Sequence, residues 1–443
     1  MNVGGTLIAG PSQSGLSGTL SVPGDKSISH RAVMLASLAD GSTEIYGFLP
    51  GEDCLATAQM FVDMGVTIDW LNDEKTSLRV HGVGLHGLKK PAKVLNAGNS
   101  GTCVRLIMGI LAGQSFETVI TGDTSLQKRP MQRVADPLRR MGGEIHGSHD
   151  LLPLTVQGQD LQAIEHVSQV ASAQVKSCVL LAALYAEGET TVTEPRPTRD
   201  HTERMLPLFG QPVDVDEHGT IHLKPTGKLT APTEPIHIPA DASSAAFFAV
   251  AASLIPDSDI TLQRIGMNPL RNGWKRILSD MGANMLLEQA SKVGEEQVAD
   301  IHITYEGLHG VAVNPADVPD AIDEFPVLFA AAALADGDFT LTEAAELRVK
   351  ESDRIAVMAK ALQAAGADIE ERADGARIIG GTFHGDCRVD AHGDHRIAMA
   401  MAVAAQCANA EIRIENAAAI ATSFPDFVPL AQVLGMNIHW DEA

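Results

Sequence analysis

Aromatic residues, cysteines and positive charge are all scarce in this sequence. Phe, Trp and Tyr together make up 4% of the 443 residues, so the core has to be built mainly from Ala, Leu, Val, Ile and Met. Acidic residues outnumber basic ones, which gives a net charge of −23 at pH 7. Such a negative surface disfavours nucleic acids and anionic membranes as partners, and an anionic substrate would need a local basic site.

Disulfides, zinc sites and membrane spans are not indicated either. The five Cys stand at positions 54, 103, 178, 387 and 407 without any C-x-x-C spacing. We therefore expect neither a disulfide nor a bound metal, and we interpret each Cys as a small buried side chain. The longest apolar runs, such as "AAFFAVAASLI", are shorter than a membrane span, and the N-terminus lacks the pattern of a signal peptide. These features predict a cytoplasmic protein.

One order of elements recurs six times along the chain: a helix, a short β-rich run, a polar loop, a second helix and a further strand. The opening helices read "DKSISHRAVMLASL", "GNSGTCVRLIMGILAG", "ASAQVKSCVLLAAL", "DASSAAFFAVAASL", "DEFPVLFAAAALADG" and "DHRIAMAMAVAAQ". The period is about 70 to 80 residues, longer than that of common solenoid repeats. Strands alternating with helices predict an α/β fold.

The six copies predict two domains with three copies each. We place residues 25–241 in an inserted domain, and residues 1–24 with 242–443 in a discontinuous domain. The matching stretches "VPGDKS" and "IPADASS" mark the two crossings. The residues before 24 then have to join the C-terminal half as a strand.

Polar residues gather at two places in each copy: the start of the first helix and the loop before the second helix. The first group includes Lys26, Ser27 and Arg31, and Lys176 stands at the equivalent place in the third copy. A helix start already carries partial positive charge, so cations there are unfavourable unless an anion binds. The pattern predicts a cleft that binds phosphate, although N-caps with solvated cations would also fit any single copy. No Walker or Rossmann motif is present, so we expect no nucleotide cofactor.

Six motifs, taken together, resemble those of the 5-enolpyruvylshikimate-3-phosphate synthase (3-phosphoshikimate 1-carboxyvinyltransferase) family. In chain order they are "PGDKSISHRA", "LNAGNSGTCVRL", "GDTSLQKRPM", "SAQVKS", "RVKESDR" and "DHRIAMA". The resemblance covers essentially the whole chain, and "RDHTE" and "SAQVK" resemble the class II branch. It implies a pseudo-sixfold fold with three βαβαββ units in each domain and an active site in the interdomain cleft.

The resemblance implies transfer of the enolpyruvyl group of phosphoenolpyruvate to the 5-hydroxyl of shikimate 3-phosphate, through a tetrahedral intermediate that loses phosphate. Asp323 matches the general base, Glu351 matches the acid and Lys26 assists. The positions that match shikimate 3-phosphate ligands are Lys26, Ser27, Arg31, Ser172, Gln174, Arg199, Asp323 and Lys350. Those that match phosphoenolpyruvate ligands are Lys26, Gly101, Arg129, Gln174, Arg354 and Arg396. The resemblance implies no metal or other cofactor and small-molecule partners only, and we expect a monomer.

Three positions depart from the family pattern. Thr422 stands where many members have a Lys that binds phosphoenolpyruvate, Leu270 occupies the Thr place of the class II "N-x-T-R" pattern, and Glu346 replaces an Asn common in class I. Glyphosate competes with phosphoenolpyruvate in this family, and tolerant members often carry Ala at the position of Gly101. We therefore expect glyphosate to inhibit this protein.

Two other functions are compatible with parts of the pattern. The related enolpyruvyl transferase acting on UDP-N-acetylglucosamine commonly has a reactive Cys on a mobile loop, and none of the five Cys lies in such a context. A ring-shaped DNA clamp is also acidic and pseudo-sixfold. A clamp would carry basic residues along helix faces, whereas here they stand in helix-start loops beside Ser, Asp and Glu.

Overall fold

The computed structural model describes residues 5–441 of the chain. These residues divide into two compact units. The inserted unit is Gly24–Ile238, and the discontinuous unit comprises the described residues up to Pro23 together with those from Pro239 onward. Both units combine helices with short strands, so the α/β fold predicted from the sequence is confirmed.

The chain begins with two strands of the discontinuous unit, β1 (Leu7–Ala9) and β2 (Ser17–Leu20). The inserted unit follows. Its elements are α1 (Lys26–Leu38), β3 (Ala39–Tyr46), α2 (Glu52–Asp63), β4 (Thr67–Trp70), β5 (Ser77–Val83), β6 (Leu95–Asn96), α3 (Gly101–Ala112), β7 (Glu117–Thr121), α4 (Gln132–Arg140), β8 (Glu144–His146), β9 (Leu154–Gln157), β10 (Leu161–Gln162), β11 (Glu165–Val167), α5 (Ala173–Ala183), β12 (Ala186–Glu187), β13 (Thr190–Thr193), α6 (His201–Met205), β14 (Asp214–Val215), β15 (Ile221–Leu223), β16 (Leu229–Thr230) and β17 (Ile236–His237).

Each repeat of the inserted unit forms one sheet with the same pairing. The strand orders are β6-β7-β9-β8 and β11-β13-β15-β14, and in the first repeat β3-β5-β4 with β16 and β17 both beside β3. One strand in each of the second and third sheets, β6 or β11, is parallel to its neighbour, and in the first sheet β16 and β17 are both parallel to β3. The other pairs are antiparallel. Since β16 and β17 are the last strands of the unit, they close it onto its first repeat.

The discontinuous unit repeats this plan. Its remaining elements are α7 (Ala242–Leu254), β18 (Asp259–Gly266), α8 (Gly273–Asp280), β19 (Asn284–Val293), β20 (Glu296–Thr304), α9 (Phe325–Leu334), β21 (Asp338–Leu341), α10 (Arg354–Ala364), β22 (Asp368–Arg372), β23 (Gly375–Ile379), β24 (Cys387–Asp390), α11 (His395–Ala405), β25 (Ile412–Glu415), α12 (Phe427–Leu434) and β26 (Ile438–Trp440). Its sheets are ordered β19-β20-β18-β2, β21-β23-β22 and β24-β25-β1-β26. The residues before 24 thus supply two strands, β2 parallel to β18 and β1 between β25 and β26.

Three helices form the centre of each unit. In the inserted unit these are α1, α3 and α5, and in the discontinuous unit α7, α9 and α11. All thirteen residues of α7 are buried, as is nearly all of α9 and α11. Ala and Gly let such helices approach closely, and polar side chains are tolerated mainly in the first turn, where unpaired backbone N–H groups need acceptors. The sequence pattern therefore gathers the polar residues at the N-terminal ends of buried helices.

Gly109 tests how closely α3 and α5 pack. A Cβ atom there would lie 2.2 Å from the carbonyl oxygen of Cys178 on α5. Gly109→Ala should therefore lower the free energy of unfolding by about 1–3 kcal/mol, although Ala favours helices by ~1 kcal/mol over Gly. Urea denaturation followed by circular dichroism measures this. Gly381→Ala is the control, because a Cβ at this exposed position meets nothing within 4 Å. Equal stabilities of the two variants would contradict the close packing.

Candidate active site

Lys26, the first residue of α1, is held in place by a carboxylate of the next helix. Asp25 caps α1, since its side chain accepts a hydrogen bond from the backbone N–H of Ile28 at 2.9 Å. The Lys26 ammonium lies 3.1 Å from Asp53 Oδ2, in the first turn of α2. The Lys26 side chain is 17% exposed, so most of it is covered by the protein.

Arg31, one turn further along α1, joins three helices. Its Nε donates to Thr202 Oγ1 on α6 at 2.7 Å, and its Nη2 donates to Ser177 Oγ on α5 at 2.7 Å. Its Nη1 donates to the carbonyl oxygen of Ser27 at 2.9 Å. These three oxygens orient the buried guanidinium.

The starts of α3 and α5 are tied together by Gln174. Its side-chain oxygen accepts from Arg105 Nη1 at 2.5 Å, and its nitrogen donates to Thr102 Oγ1 at 2.9 Å. Ser100 caps α3 and Ser172 caps α5. Side-chain oxygens thereby satisfy one N–H at each helix start, and the remaining first-turn N–H groups can donate to a ligand.

Arg129 lies beside the first residue of α3. Its Nη2 donates to Asn99 Oδ1 at 2.8 Å, and a Cβ built on Gly101 would lie 3.4 Å from its Nη1. Gly101 has no positive φ angle, so the backbone conformation does not require a glycine here. What its small size provides is space beside Arg105 and Arg129. Arg199 stands just before Asp200, the residue that precedes α6.

We call this set of polar residues the inserted-unit cluster. It consists of Lys26, Ser27, Arg31, Gly101, Arg129, Ser172, Gln174 and Arg199. Three helix N-termini and several cations contribute to it, and both favour negative charge in a ligand. Its chemistry is that of a binding site for phosphate or carboxylate groups.

In the discontinuous unit, Arg354 is the centre of a second cluster. It is the first residue of α10, it is 1% exposed, and its guanidinium contacts three carboxylates. Nε lies 2.9 Å from Asp394 Oδ2, Nη1 lies 3.2 Å from Asp323 Oδ1 and Nη2 lies 2.5 Å from Glu351 Oε2. Burial by itself lowers the pKa of Arg354, but the charges of Asp394, Glu351 and Asp323 outweigh it and raise the pKa above its ordinary value. Arg354 therefore stays charged.

Two further cations approach Asp323. The Lys350 ammonium lies 3.4 Å from Asp323 Oδ1, and Arg396 Nη1 donates to the carbonyl oxygen of Asp323 at 2.9 Å. Arg396 also lies 3.5 Å from Glu324 Oε1. We call Asp323, Lys350, Glu351, Arg354 and Arg396 the discontinuous-unit cluster. It places carboxylates that can exchange protons among cations that can bind an anion.

The structure corrects the expectation for Lys176 and adds Asp53, which the sequence did not indicate. Lys176 was expected beside Lys26 and Arg31 as a cation facing an anion, but it is buried between Glu194 and Glu203, each 2.8 Å from its Nζ. The signal that could have pointed to Asp53, which holds Lys26, is its position in "LPGED", the polar loop before the second helix of the first repeat.

The three departures from the family pattern lie in short turns. Thr422 ends the 3₁₀ turn Ala417–Thr422, and its hydroxyl donates to the carbonyl oxygen of Ala419 at 2.7 Å. Leu270 lies in the turn Pro269–Arg271, where its N–H donates to the Asn268 side chain at 3.0 Å. Glu346 lies in the turn Ala345–Val349, which leads to Lys350.

The thiols are poor nucleophiles. Burial raises the pKa of all five, to about 12 for Cys103 and about 11 for Cys407. We expected every Cys to be buried, but Cys387 and Cys407 are only partly buried. Cys387 is the first residue of β24, and Cys407 lies just after the end of α11.

Within residues 5–441, no three His, Cys, Asp or Glu side chains lie close enough together to hold a metal ion. Within the same residues, every helix is too short or too polar to cross a membrane.

Comparison with known proteins gives one consistent result. A family model described as EPSP synthase (3-phosphoshikimate 1-carboxyvinyltransferase) matches residues 11–430. A 3-phosphoshikimate 1-carboxyvinyltransferase of Acidithiobacillus ferrooxidans is 54% identical over 425 residues, which is 96% of each chain. The solved EPSP synthase of Acinetobacter baumannii has a TM-score of 0.87 and 46% identity, covering 99% of this chain and 100% of its own. An enolpyruvyl transferase of Streptomyces tendae shares the fold, with a TM-score of 0.82 at 17% identity, covering 99% and 100%.

His30 lies between Lys26 and Arg31 on α1 and gives a pH-dependent prediction. Burial, together with the charges of Lys26 and Arg31, holds the pKa of its ring well below the usual range. The folded protein keeps His30 neutral while the unfolded chain takes up a proton below about pH 6.5, so this contribution to stability is present above pH 6.5 and lost as the pH falls, by up to ~1.4 kcal/mol per pH unit.

We expect His30→Asn to remove that part of the pH dependence. Urea denaturation between pH 5 and pH 7 measures it, as the difference in slope between the variant and the unmodified protein. His218, with a side chain 79% exposed, provides the control substitution His218→Asn, which should keep the original slope. A His30→Asn slope equal to that of the unmodified protein would show that His30 has the same pKa in the folded and unfolded states.

Proposed function

The chain belongs to the EPSP synthase (3-phosphoshikimate 1-carboxyvinyltransferase) family, and from this premise we propose how its two clusters carry out the family's reaction. The protein is a transferase of the shikimate pathway that moves the carboxyvinyl group of phosphoenolpyruvate to shikimate 3-phosphate. The observation that carries the assignment of residues is the gathering of cations at helix N-termini in each unit. Both substrates carry a phosphate and a carboxylate, which are the groups that such sites bind.

Shikimate 3-phosphate is bound mainly by the inserted-unit cluster. Its proposed ligands there are Lys26, Ser27, Arg31, Ser172, Gln174 and Arg199, with Asp323 and Lys350 from the discontinuous-unit cluster. The first turn of α1 supports this role, because it lies beside the Arg31 guanidinium, which the oxygens of Ser27, Ser177 and Thr202 orient. A preoriented guanidinium loses little entropy when the anion binds.

Phosphoenolpyruvate is bound by cations of both clusters. The proposed ligands are Lys26, Gly101, Arg129, Gln174, Arg354 and Arg396. Arg354 contacts three carboxylates in the structure, so the incoming anion competes with Glu351 and Asp323 for its guanidinium. Binding of phosphoenolpyruvate thus weakens the ion pair of Glu351 and lets its carboxylate take up a proton.

The proposed chemistry uses the two carboxylates as base and acid. Asp323 accepts the proton of the 5-hydroxyl as the hydroxyl oxygen bonds to C2 of phosphoenolpyruvate. In the same step Glu351 protonates C3. In the second step the Glu351 carboxylate takes a proton back from C3 of the tetrahedral intermediate as the bond from C2 to the phosphate oxygen breaks. Asp323 gives its proton to the leaving phosphate, so the enol ether and inorganic phosphate remain. Lys26, Arg354 and Arg396 stabilise the negative charge that moves onto the leaving phosphate.

The activity is tested by measuring inorganic phosphate release with both substrates present. Phosphate should appear only when shikimate 3-phosphate and phosphoenolpyruvate are supplied together, and mixtures lacking either one serve as controls. Replacing shikimate 3-phosphate by UDP-N-acetylglucosamine should give no phosphate, in keeping with the raised pKa of all five thiols. Release with the nucleotide sugar alone as acceptor would contradict the proposed function.

The role of Asp323 is tested by Asp323→Asn. The amide can still accept hydrogen bonds from Lys350 and Arg354 but is a far weaker base, so kcat should fall by roughly 10²–10⁴ while shikimate 3-phosphate binds about as tightly as before. Steady-state kinetics and calorimetric titration measure the two quantities.

Asp338→Asn is the matched control, since Asp338 is paired with an arginine on a surface sheet of the same unit. It should leave kcat unchanged. If Asp323→Asn also stayed within threefold of the unmodified kcat, Asp323 would not be the base.

We further propose that glyphosate inhibits the enzyme in competition with phosphoenolpyruvate, because Gly101 leaves room at the start of α3. In Gly101→Ala, the new Cβ lies 3.2 Å from Arg105 Nη1 and 3.4 Å from Arg129 Nη1. The end of Arg105 has to shift slightly, and the added methyl group narrows the space at the start of α3, which should weaken glyphosate by about 1–3 kcal/mol. Phosphoenolpyruvate is shorter and should lose less affinity. Inhibition constants and KM values of both proteins measure this, and equal losses for inhibitor and substrate would refute the steric account.

We also propose that the active form is a single chain, since both clusters come from one polypeptide. Size-exclusion chromatography with light scattering should give the mass of one chain at concentrations used for the assay. Activity confined to a dimer fraction would contradict this.

A further inference from the structure

The ammonium of Lys176 is fully used within the inserted unit. Lys176 is in the first turn of α5, and its side chain is 3% exposed. Its Nζ lies 2.8 Å from Glu194 Oε2 and 2.8 Å from Glu203 Oε1, and it donates to the carbonyl oxygen of Thr198 at 2.9 Å. An ammonium has three N–H donors, so these three acceptors account for all of them.

All three acceptors belong to one short segment, residues 194–203. This segment connects β13 with α6, and it is irregular up to Asp200. Glu194 also accepts from the backbone N–H of Thr198 at 3.2 Å and from its hydroxyl at 2.7 Å, which closes the segment into a compact loop. Arg199 directly follows Thr198. The residues that accept from the Lys176 ammonium therefore lie before Arg199 (Glu194 and Thr198) and after it (Glu203).

The far end of the segment is fixed to the same helix. Thr202 donates to Ser177 Oγ on α5 at 2.8 Å, and it accepts from Arg31 Nε. Lys176 and Ser177 are adjacent on α5, so consecutive residues of this helix hold the segment before and after Arg199. The segment therefore has little freedom to move away from the starts of α1 and α5.

The charges at Lys176 suit an orienting role better than a stabilising one. Burial by itself lowers the pKa of Lys176, but Glu203 and Glu194 outweigh it and raise the pKa, so the ammonium stays charged. Burying one cation and two carboxylates is costly, and well-packed apolar side chains of similar size are often as stable or more so. What the ion cluster supplies instead is a fixed geometry.

We propose that Lys176 is a positioning residue for shikimate 3-phosphate: through Glu194, Thr198 and Glu203 it holds the loop so that Arg199 meets the substrate. The inference rests on the proposed role of Arg199 as a ligand of this substrate. Lys176 itself does not touch the substrate, because its donors are engaged within the protein.

The test is calorimetric titration of the full-length protein with shikimate 3-phosphate. Lys176→Met leaves two buried carboxylates without their cation and is at risk of not folding, so the working variant is Lys176→Met/Glu203→Gln, which removes one negative charge as well. Its dissociation constant should rise about 10- to 100-fold, the range for losing a hydrogen bond to a charged group. The KM for shikimate 3-phosphate should rise with it, while kcat changes by less than about threefold.

A double-mutant cycle separates this inference from the role of Arg199. Arg199→Ala should weaken binding to a similar degree, and adding it to Lys176→Met/Glu203→Gln should weaken binding little further, because both changes remove the same contact. If Arg199→Ala left binding unchanged, the proposed role of Arg199 would be wrong. If Arg199→Ala weakened binding but the two sets of changes added up independently, the inference about Lys176 alone would be overturned.

Arg79→Met is the control for mere destabilisation. It breaks the ion pair with Glu44, 2.6 Å long, on a sheet of the same unit. It should lower or keep the Tm with no change in the dissociation constant. A Lys176→Met/Glu203→Gln variant that behaved likewise, with a lower Tm and affinity within threefold of the unmodified protein, would show that the cluster serves only stability.

Discussion

Positive charge gathered at the buried ends of helices is the constraint on which the rest of the structure depends. Each unit packs three buried helices together, and each unit has cations at helix starts, such as Lys26 on α1 and Arg396 on α11. Without an anion this arrangement is unfavourable, because like charges and helix dipoles repel. Local carboxylates such as Asp53 and Asp394 offset the repulsion, and we propose that phosphate and carboxylate groups of the substrates join them.

The two clusters meet this constraint by different means. In the inserted unit, hydroxyl and carbonyl oxygens orient Arg31. In the discontinuous unit, three carboxylates contact Arg354, two of which are the proposed base and acid. The proposed mechanism therefore places proton transfer in the cluster that is rich in carboxylates.

Much of the fold could be predicted from the sequence, because six Ala-rich helices with polar first turns give a strong periodic signal. The sequence could not show that β2 pairs with β18 more than 240 residues away, since a four-residue strand carries little pattern. It also could not separate Lys176 from Arg31. Arg31 stands in the second turn of α1 and Lys176 in the first turn of α5, so both lie near helix starts. Only the fold reveals that Lys176 contacts Glu194 and Glu203, whereas Arg31 donates to two hydroxyls and a carbonyl oxygen.

The most direct measurement of the central claim is the crystal structure of this protein with shikimate 3-phosphate bound. The account predicts that the phosphate lies at the starts of α1 and α5, with its oxygens within about 3.2 Å of donors from Ser27, Ser172 and Arg199. It also predicts that Lys176 keeps its contacts with Glu194 and Glu203. A phosphate bound away from these helix starts, or held by Lys176 itself, would contradict the account.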